Sequence, residues 1–230
     1  APMMKCKKAL EEAGGDVDLA VEKLRIAFKA SVDKTASRVA AEGIVVVASN
    51  GKKAALAEVN CETDFVARNV DFVALGEELC NDVLDNNYTE IVPELHAKVE
   101  GLITKIKEYM SLKRFKVWSL DDATIVSEYV HGEGTLAAMV ALSASDKSVL
   151  ADESVKTLAN DLALHVAAFS PLYLDKSAVD ADYVKENTEI FTAQTLALGK
   201  PEKVVPGIVA GKLNKHFTEI CFMQQSFVKD

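Results

Sequence analysis

The residue types able to do chemistry gather in one short string, "EVNCETDFVARN" over residues 58–69, which holds Cys61, Glu62 and Asp64. With a distant histidine, His131 or His165, they could form a thiol nucleophile and its base, or a metal site. A thiol nucleophile needs a base within hydrogen-bond reach and an oxyanion donor, and no Gly-rich turn or helix start is signalled beside Cys61. Cys61 instead closes an apolar, strand-like run, which predicts a small buried hydrophobe. Glu62, Asp64 and His131 match no recognised ligand spacing. The other cysteines, Cys6, Cys80 and Cys221, are scattered, with no CxxC pair, so no structural zinc site is predicted and the thiols read as reduced. No phosphate-cradling GxxxxGK loop occurs, which excludes the usual nucleotide hydrolase motif. What remains is an acid beside a phenyl ring, Asp64 and Phe65, just past the end of a strand.

The elements that must position this pair read as an α+β chain. Residues 1–29 predict two short helices: Met3, Met4, Lys7 and Leu10 have helical spacing, Gly14-Gly15 stops the first, and Asp16 caps a second carrying Val17, Ala20, Val21 and Leu24. Residues 30–39, "ASVDKTASRV", read as a linker. Two β-rich runs then flank Asn50-Gly51, a strong hairpin signal. A helix is expected over 70–84, with Phe72, Val73, Leu75, Leu79 and Val83 on one side and Asp71 in its first turn. A charged helix over 93–109 and a strand in "SLKRFKVWSL" follow.

The strand-strand-helix pattern then recurs. "ATIVSEYVHGEGTLAAMVAL" carries two apolar runs about a His131-Gly132 turn, and a helix is expected over 152–169 with His165 at its core edge. Residues 182–198 and 202–218, separated by Gly199-Lys200-Pro201, predict an antiparallel helical hairpin, with Pro206 and Gly207 bending or fraying the start of its second helix. The expected organisation is a helical module over 1–29, a linker over 30–39, one core subdomain over 40–124, and a second over 125–230 that includes the hairpin 182–218.

Bulk properties limit the partners. With 230 residues, 49 % of them hydrophobic, the chain can bury a sizeable core. A net charge of −9 argues against nucleic acid as a direct partner, because lysine and arginine supply the counterion-release contribution to phosphate binding. No apolar run approaches the roughly 18 residues of a membrane span, so no membrane insertion is expected, and the N-terminus lacks the pattern of a secretory signal.

Taken together, "APMMKCKKALEEAGGDVDLAVEKLR", "EVNCETDFVARN", the "YVHG" turn and "FTEICFMQQSFVKD" resemble the translation elongation factor Ts family, over nearly the whole chain. The resemblance implies a UBA-like helical module at the N-terminus, cut to two helices, followed by a duplicated core and a coiled-coil hairpin. It implies a guanine-nucleotide exchange factor that performs no bond chemistry, needs no cofactor and acts on elongation factor Tu. The acid and ring of the family's signature loop, here Asp64 and Phe65 with Thr63 and Val66 around them, enter the GTPase near its magnesium and phosphate site. Met3 and Met4 contact the GTPase's nucleotide domain, and His131, with Gly132, helps part its helices. Family members normally carry another helix before "APMM" and a terminal strand beyond "FVKD", and a Gly-Glu-Asn loop where this chain has Lys107-Glu108-Tyr109. Those departures motivate a second reading: a structural subunit of a larger, organellar assembly with exchange lost. The implied compartment is reducing: a mitochondrial matrix, a plastid or a bacterial cytoplasm.

Overall fold

The computed structural model describes residues 3–24, 26 and 39–229. The linker expected over 30–39 therefore lies, except for Val39, outside the described residues, as do residues 27–29 of the helical module. The chain parts into two compact units, Ala1–Asp152 and Glu153–Asp230, so the second strand pair belongs with the first.

The module opens with α1 (Met3–Glu12) and a second helix, α2, over 17–24. Gly14 and Gly15 adopt φ of +63° and +88°, a conformation open to glycine at little steric cost, and the Gly15 N–H returns to the Leu10 carbonyl at 2.9 Å to close α1. Asp16 starts α2, its carboxylate accepting from the Leu19 N–H at 3.0 Å. The residues that pack between the two helices are the small ones, Ala9, Ala13 and Ala20, with Leu24 against them. Met3, Met4, Leu10 and Val17 remain exposed.

Strands β1 (Glu42–Ser49), β2 (Lys53–Cys61) and β3 (Met110–Ser119) form an antiparallel sheet in the order β1-β2-β3. The β1-β2 turn sits where Asn50-Gly51 predicted it. Asn50 pairs with Lys53 through a 3.1 Å backbone bond, and its side-chain oxygen accepts from the N–H groups of Lys52 and Lys53, so Gly51 and Lys52 are the turn's central residues. Helix α4 (Val70–Asn86) runs two residues beyond its expected end and buries Phe72, Leu75, Leu79 and Val83, with Val73 partly covered. Helix α5 (Pro93–Ile106) stops earlier than expected, because Lys107 takes φ +72° and its N–H closes the last turn on Ile103. Between α3 (Asp64–Ala67), a single turn not anticipated, and β3, one continuous core forms from these faces with Val59, Cys61, Val66, Leu95, Val99, Ile103, Met110 and Leu112. Fully burying such a side chain stabilises the fold by about 1.5–3 kcal/mol.

Strands β4 (Thr124–His131) and β5 (Leu136–Ser143) make a second, two-stranded sheet. Its connection is longer than a two-residue turn: Gly132, Glu133 and Gly134 form a tight turn in left-handed backbone, with φ of +56°, +57° and +90°, and His131 pairs with Leu136. That turn lies on β1, where a methyl group on Gly134 would meet the Val45 carbonyl oxygen at 3.3 Å and the Ile44 side chain at 3.4 Å. The order strand, strand, helix thus recurs along the sequence, but among the described residues a third strand joins only the first hairpin.

The second unit holds α6 (Glu153–Phe169), α7 (Ala181–Ala197) and α8 (Val205–Ile220). Helices α7 and α8 fold back as expected, with Gly199 at φ +71° in the turn and the Tyr183 hydroxyl 2.8 Å from His216 Nε2 across the pair. Helix α8 starts at Val205 after a short 3-10 turn (Glu202–Val204), the frayed start expected of this helix, and Pro206 occupies the first turn of the helix proper, where the missing N–H costs no helical bond. His165 is buried: its Nδ1 accepts from the Val228 N–H at 3.2 Å and its Nε2 lies 3.0 Å from Gln225 Oε1.

Candidate functional site

The signature string occupies the end of β2 and the turn after it. Thr63, in extended conformation, caps α3, its hydroxyl accepting from the Val66 N–H at 3.4 Å. A four-residue helix cannot persist by propensity, since nucleation costs more than one turn of hydrogen bonds returns. Its anchor is Val66, 5 % exposed and part of the core. Once Val66 points inward, the periodicity of one turn directs its neighbour outward, and Phe65 is 84 % exposed. Asp64 beside it is exposed as well. The acid-and-ring pair is thus held outside the fold by a residue turned into it.

Two further apolar or charged groups frame the pair. Val70, at the start of α4, is 82 % exposed, placing a second bare apolar side chain five residues from Phe65. Arg68 lies 3.8 Å from both the Asp64 carboxylate and the Glu133 carboxylate, joining α3 to the β4-β5 turn. That approach brings the His131-Gly132 corner to the same side as Asp64. His131 is exposed, with Nδ1 3.3 Å from the Tyr129 hydroxyl. Gly132 is exposed at φ +56°.

The expected site residues therefore separate. Asp64, Phe65, His131 and Gly132 are exposed in one region of the first unit. Thr63 is only partly exposed and its hydroxyl is engaged, and Val66 is buried, so both support the turn and present nothing outward. Met3 and Met4, 84 % and 73 % exposed, lie on the first helix of the N-terminal module.

No chemistry of a thiol kind is set up here. Cys61 is fully buried, donates to the Thr63 carbonyl at 3.2 Å, and burial, reinforced by the Glu108 carboxylate, pushes its thiol up to about 11. A nucleophilic cysteine needs the opposite shift. A helix does start three residues on, at Asp64, contrary to expectation, but it is one turn long and the thiol is buried in the core. Burial likewise pushes the Cys80 thiol up to about 12. Among the described residues, no cluster of three His, Cys, Asp or Glu side chains could hold a metal ion, and no helix is long and apolar enough to cross a membrane.

Comparison with known proteins gives this geometry its setting. A family profile described as Elongation factor TS matches residues 62–230. The chain is 43 % identical over 230 residues to "Elongation factor Ts" of Treponema denticola, covering 100 % of this chain and 82 % of that one. It belongs to the elongation factor Ts family. A second relative of that name, from Clostridium acetobutylicum, is 43 % identical over 243 residues and covers 100 % of this chain and 78 % of its own. A third, from Borreliella burgdorferi, is 42 % identical over 226 residues, 98 % of this chain and 81 % of that one. All three relatives are bacterial, which lends no support to the organellar alternative.

For a member of the elongation factor Ts family, sequence reading reached the exposed pair but missed what surrounds it. Val70 looked like an ordinary helix start, yet an apolar residue directly after the cap Asn69, whose side chain accepts from the Asp71 N–H, was the available signal. Arg68 and Glu133 could not be linked from sequence, being 65 positions apart with no local pattern between them. The loop over 107–109 gave no sign that it would contact the signature string.

Proposed function

We propose that this chain accelerates GDP release from elongation factor Tu by inserting Asp64 and Phe65 beside the GTPase's magnesium and phosphate site. The observation that carries this reading is the 84 % exposure of Phe65 on a turn whose next residue is locked in the core. A free phenyl ring on a mobile loop would lose affinity to ordering; one held outward in advance avoids that cost. Phe65 fills an apolar pocket, and the Asp64 charge disturbs the surroundings of the bound cation. Val70 extends the apolar contact, and His131 and Gly132 widen it from the second hairpin. Met3 and Met4 supply an adaptable contact with the nucleotide domain, and the α7-α8 hairpin a further one.

No bond is made or broken in such a process. Because coupling is reciprocal, a factor that weakens nucleotide binding is itself bound less tightly when nucleotide is present, and so turns over. The bacterial relatives support a role in translation elongation in a bacterial cytoplasm.

The test is release of a fluorescent GDP analogue from elongation factor Tu, with and without this chain. Acceleration by the wild type and its loss in Phe65→Ala is the expected result. A wild type that leaves the release rate unchanged overturns the reading and moves the weight to a structural role.

A further inference from the structure

The strands β2 and β3 stop pairing at Cys61 and Met110, but the ladder continues by other means. At the next rung, the backbone N–H of Tyr109 donates to Glu62 Oε1 at 2.6 Å. At the rung after that, the Thr63 hydroxyl donates to the Glu108 carboxylate, at 2.9 Å to one oxygen and 3.2 Å to the other. Two side-chain carboxylates thus take the place of backbone carbonyls, and tie the residues on which α3 is built to the loop before β3. At the start of that loop, Lys107 closes α5 through its N–H to Ile103 at 2.8 Å.

We propose that Glu62 and Glu108 are positioning residues that set the pose of the Asp64–Phe65 turn, so that the loop over 107–109 governs exchange from inside the protein. This rests on the exchange reading above. A hydroxyl has one proton and two lone pairs. With the Thr63 proton given to Glu108, the lone pairs are left to face the Val66 N–H, the cap that starts the turn. That cap bond, at 3.4 Å, is long, and polarisation of the hydroxyl by a carboxylate strengthens it. Val66 alone gives the turn one fixed point, about which the exposed side can rock. The bonds at Glu62 and Glu108 add two more, and three points define an orientation. Hydrogen bonds to a charged acceptor are the ones strong enough to do this at a half-exposed site. Neither carboxylate needs to touch the GTPase; each acts through the turn.

The experiment compares Glu62→Ala, Glu108→Ala and their Gln counterparts in the GDP-release assay, with thermal unfolding measured in parallel. Glutamine keeps a carbonyl oxygen to accept the same bond. Each Ala variant is expected to slow release on the order of tenfold, the loss of about one charge-assisted bond, while each Gln variant, which keeps the acceptor but not its charge, falls between Ala and wild type. Amide hydrogen exchange supplies a readout independent of the GTPase: the N–H groups of residues 65–68 should exchange faster in the Ala variants, with the sheet unchanged. Release rates equal to wild type in both Ala variants, or losses that merely follow the melting temperature, would overturn the proposal. Should the wild type itself be inactive in the assay, the exchange reading fails, and unchanged amide exchange over 65–68 is then what overturns the positioning role.

Discussion

Phe65 and Val66 are adjacent in the chain and turned to opposite sides of one helical turn, the ring 84 % exposed and the isopropyl group 5 % exposed. Function and stability should therefore separate between neighbours. Phe65→Ala removes no core contact and is expected to change stability by no more than about 0.5 kcal/mol. Val66→Ala leaves a small cavity in the core and is expected to cost about 1–3 kcal/mol. Denaturant unfolding of the two variants beside the release assay checks both halves. Equal destabilisation by the two would contradict the arrangement.

A methyl group at Gly43 would sit 2.2 Å from the Val59 carbonyl oxygen and 2.8 Å from the Asn60 Cα. Both are backbone atoms of the β1-β2 ladder, where Gly43 pairs with Asn60, and neither can swing aside as a flexible side chain would. Gly43→Ala is expected to cost upwards of about 2 kcal/mol and to lower the melting temperature by several degrees. Gly101→Ala is the control: nothing lies within 4 Å of the added carbon and the residue is helical, so a neutral or slightly stabilising change is expected.

The thiols make stability fall at alkaline pH. An unfolded cysteine here ionises near 9.0, whereas burial holds folded Cys61 protonated to about 11 and folded Cys80 to about 12. Above pH 9 the unfolded state thus carries fewer protons than the folded one, which draws the equilibrium toward unfolding as pH rises. The loss approaches about 1.4 kcal/mol per pH unit for each thiol, until its folded pKa is passed. Cys61→Ala and Cys80→Ala should each flatten the fall between pH 9 and 11 measured by denaturant titration. At neutral pH, alkylation of the native protein is expected at the exposed Cys6 well before the buried Cys61, Cys80 and Cys221.

Much of this architecture was legible because its signals are local. Asn50-Gly51 marks a hairpin through its own backbone preferences, the 3.6-residue spacing from Phe72 to Val83 marks the buried face of α4, and Gly199-Lys200-Pro201 marks the return between α7 and α8. The family resemblance too rests on short strings read in order. The boundary at Ile106 was not legible, because Lys107 gives no compositional hint that it will adopt a left-handed conformation. Nor was the packing of α1 on α2 through alanines, since the larger apolar residues of those helices stay in solvent.

The sequence by itself determined most of the segments that become helix or strand, though not the single turn of α3, where the chain reverses, and that an acid and a ring follow β2. Only the tertiary structure decided the register in which β3 pairs with β2. It alone decided that Val66 is the anchor and Phe65 the projection, and that Glu62 and Glu108 clasp the far loop. The physical reason is distance along the chain: a turn or a helical face is chosen by residues a few positions apart. The bonds from Thr63 to Glu108 and from Tyr109 to Glu62 span 45 and 47 positions, and form only after the collapsed core has brought those segments together.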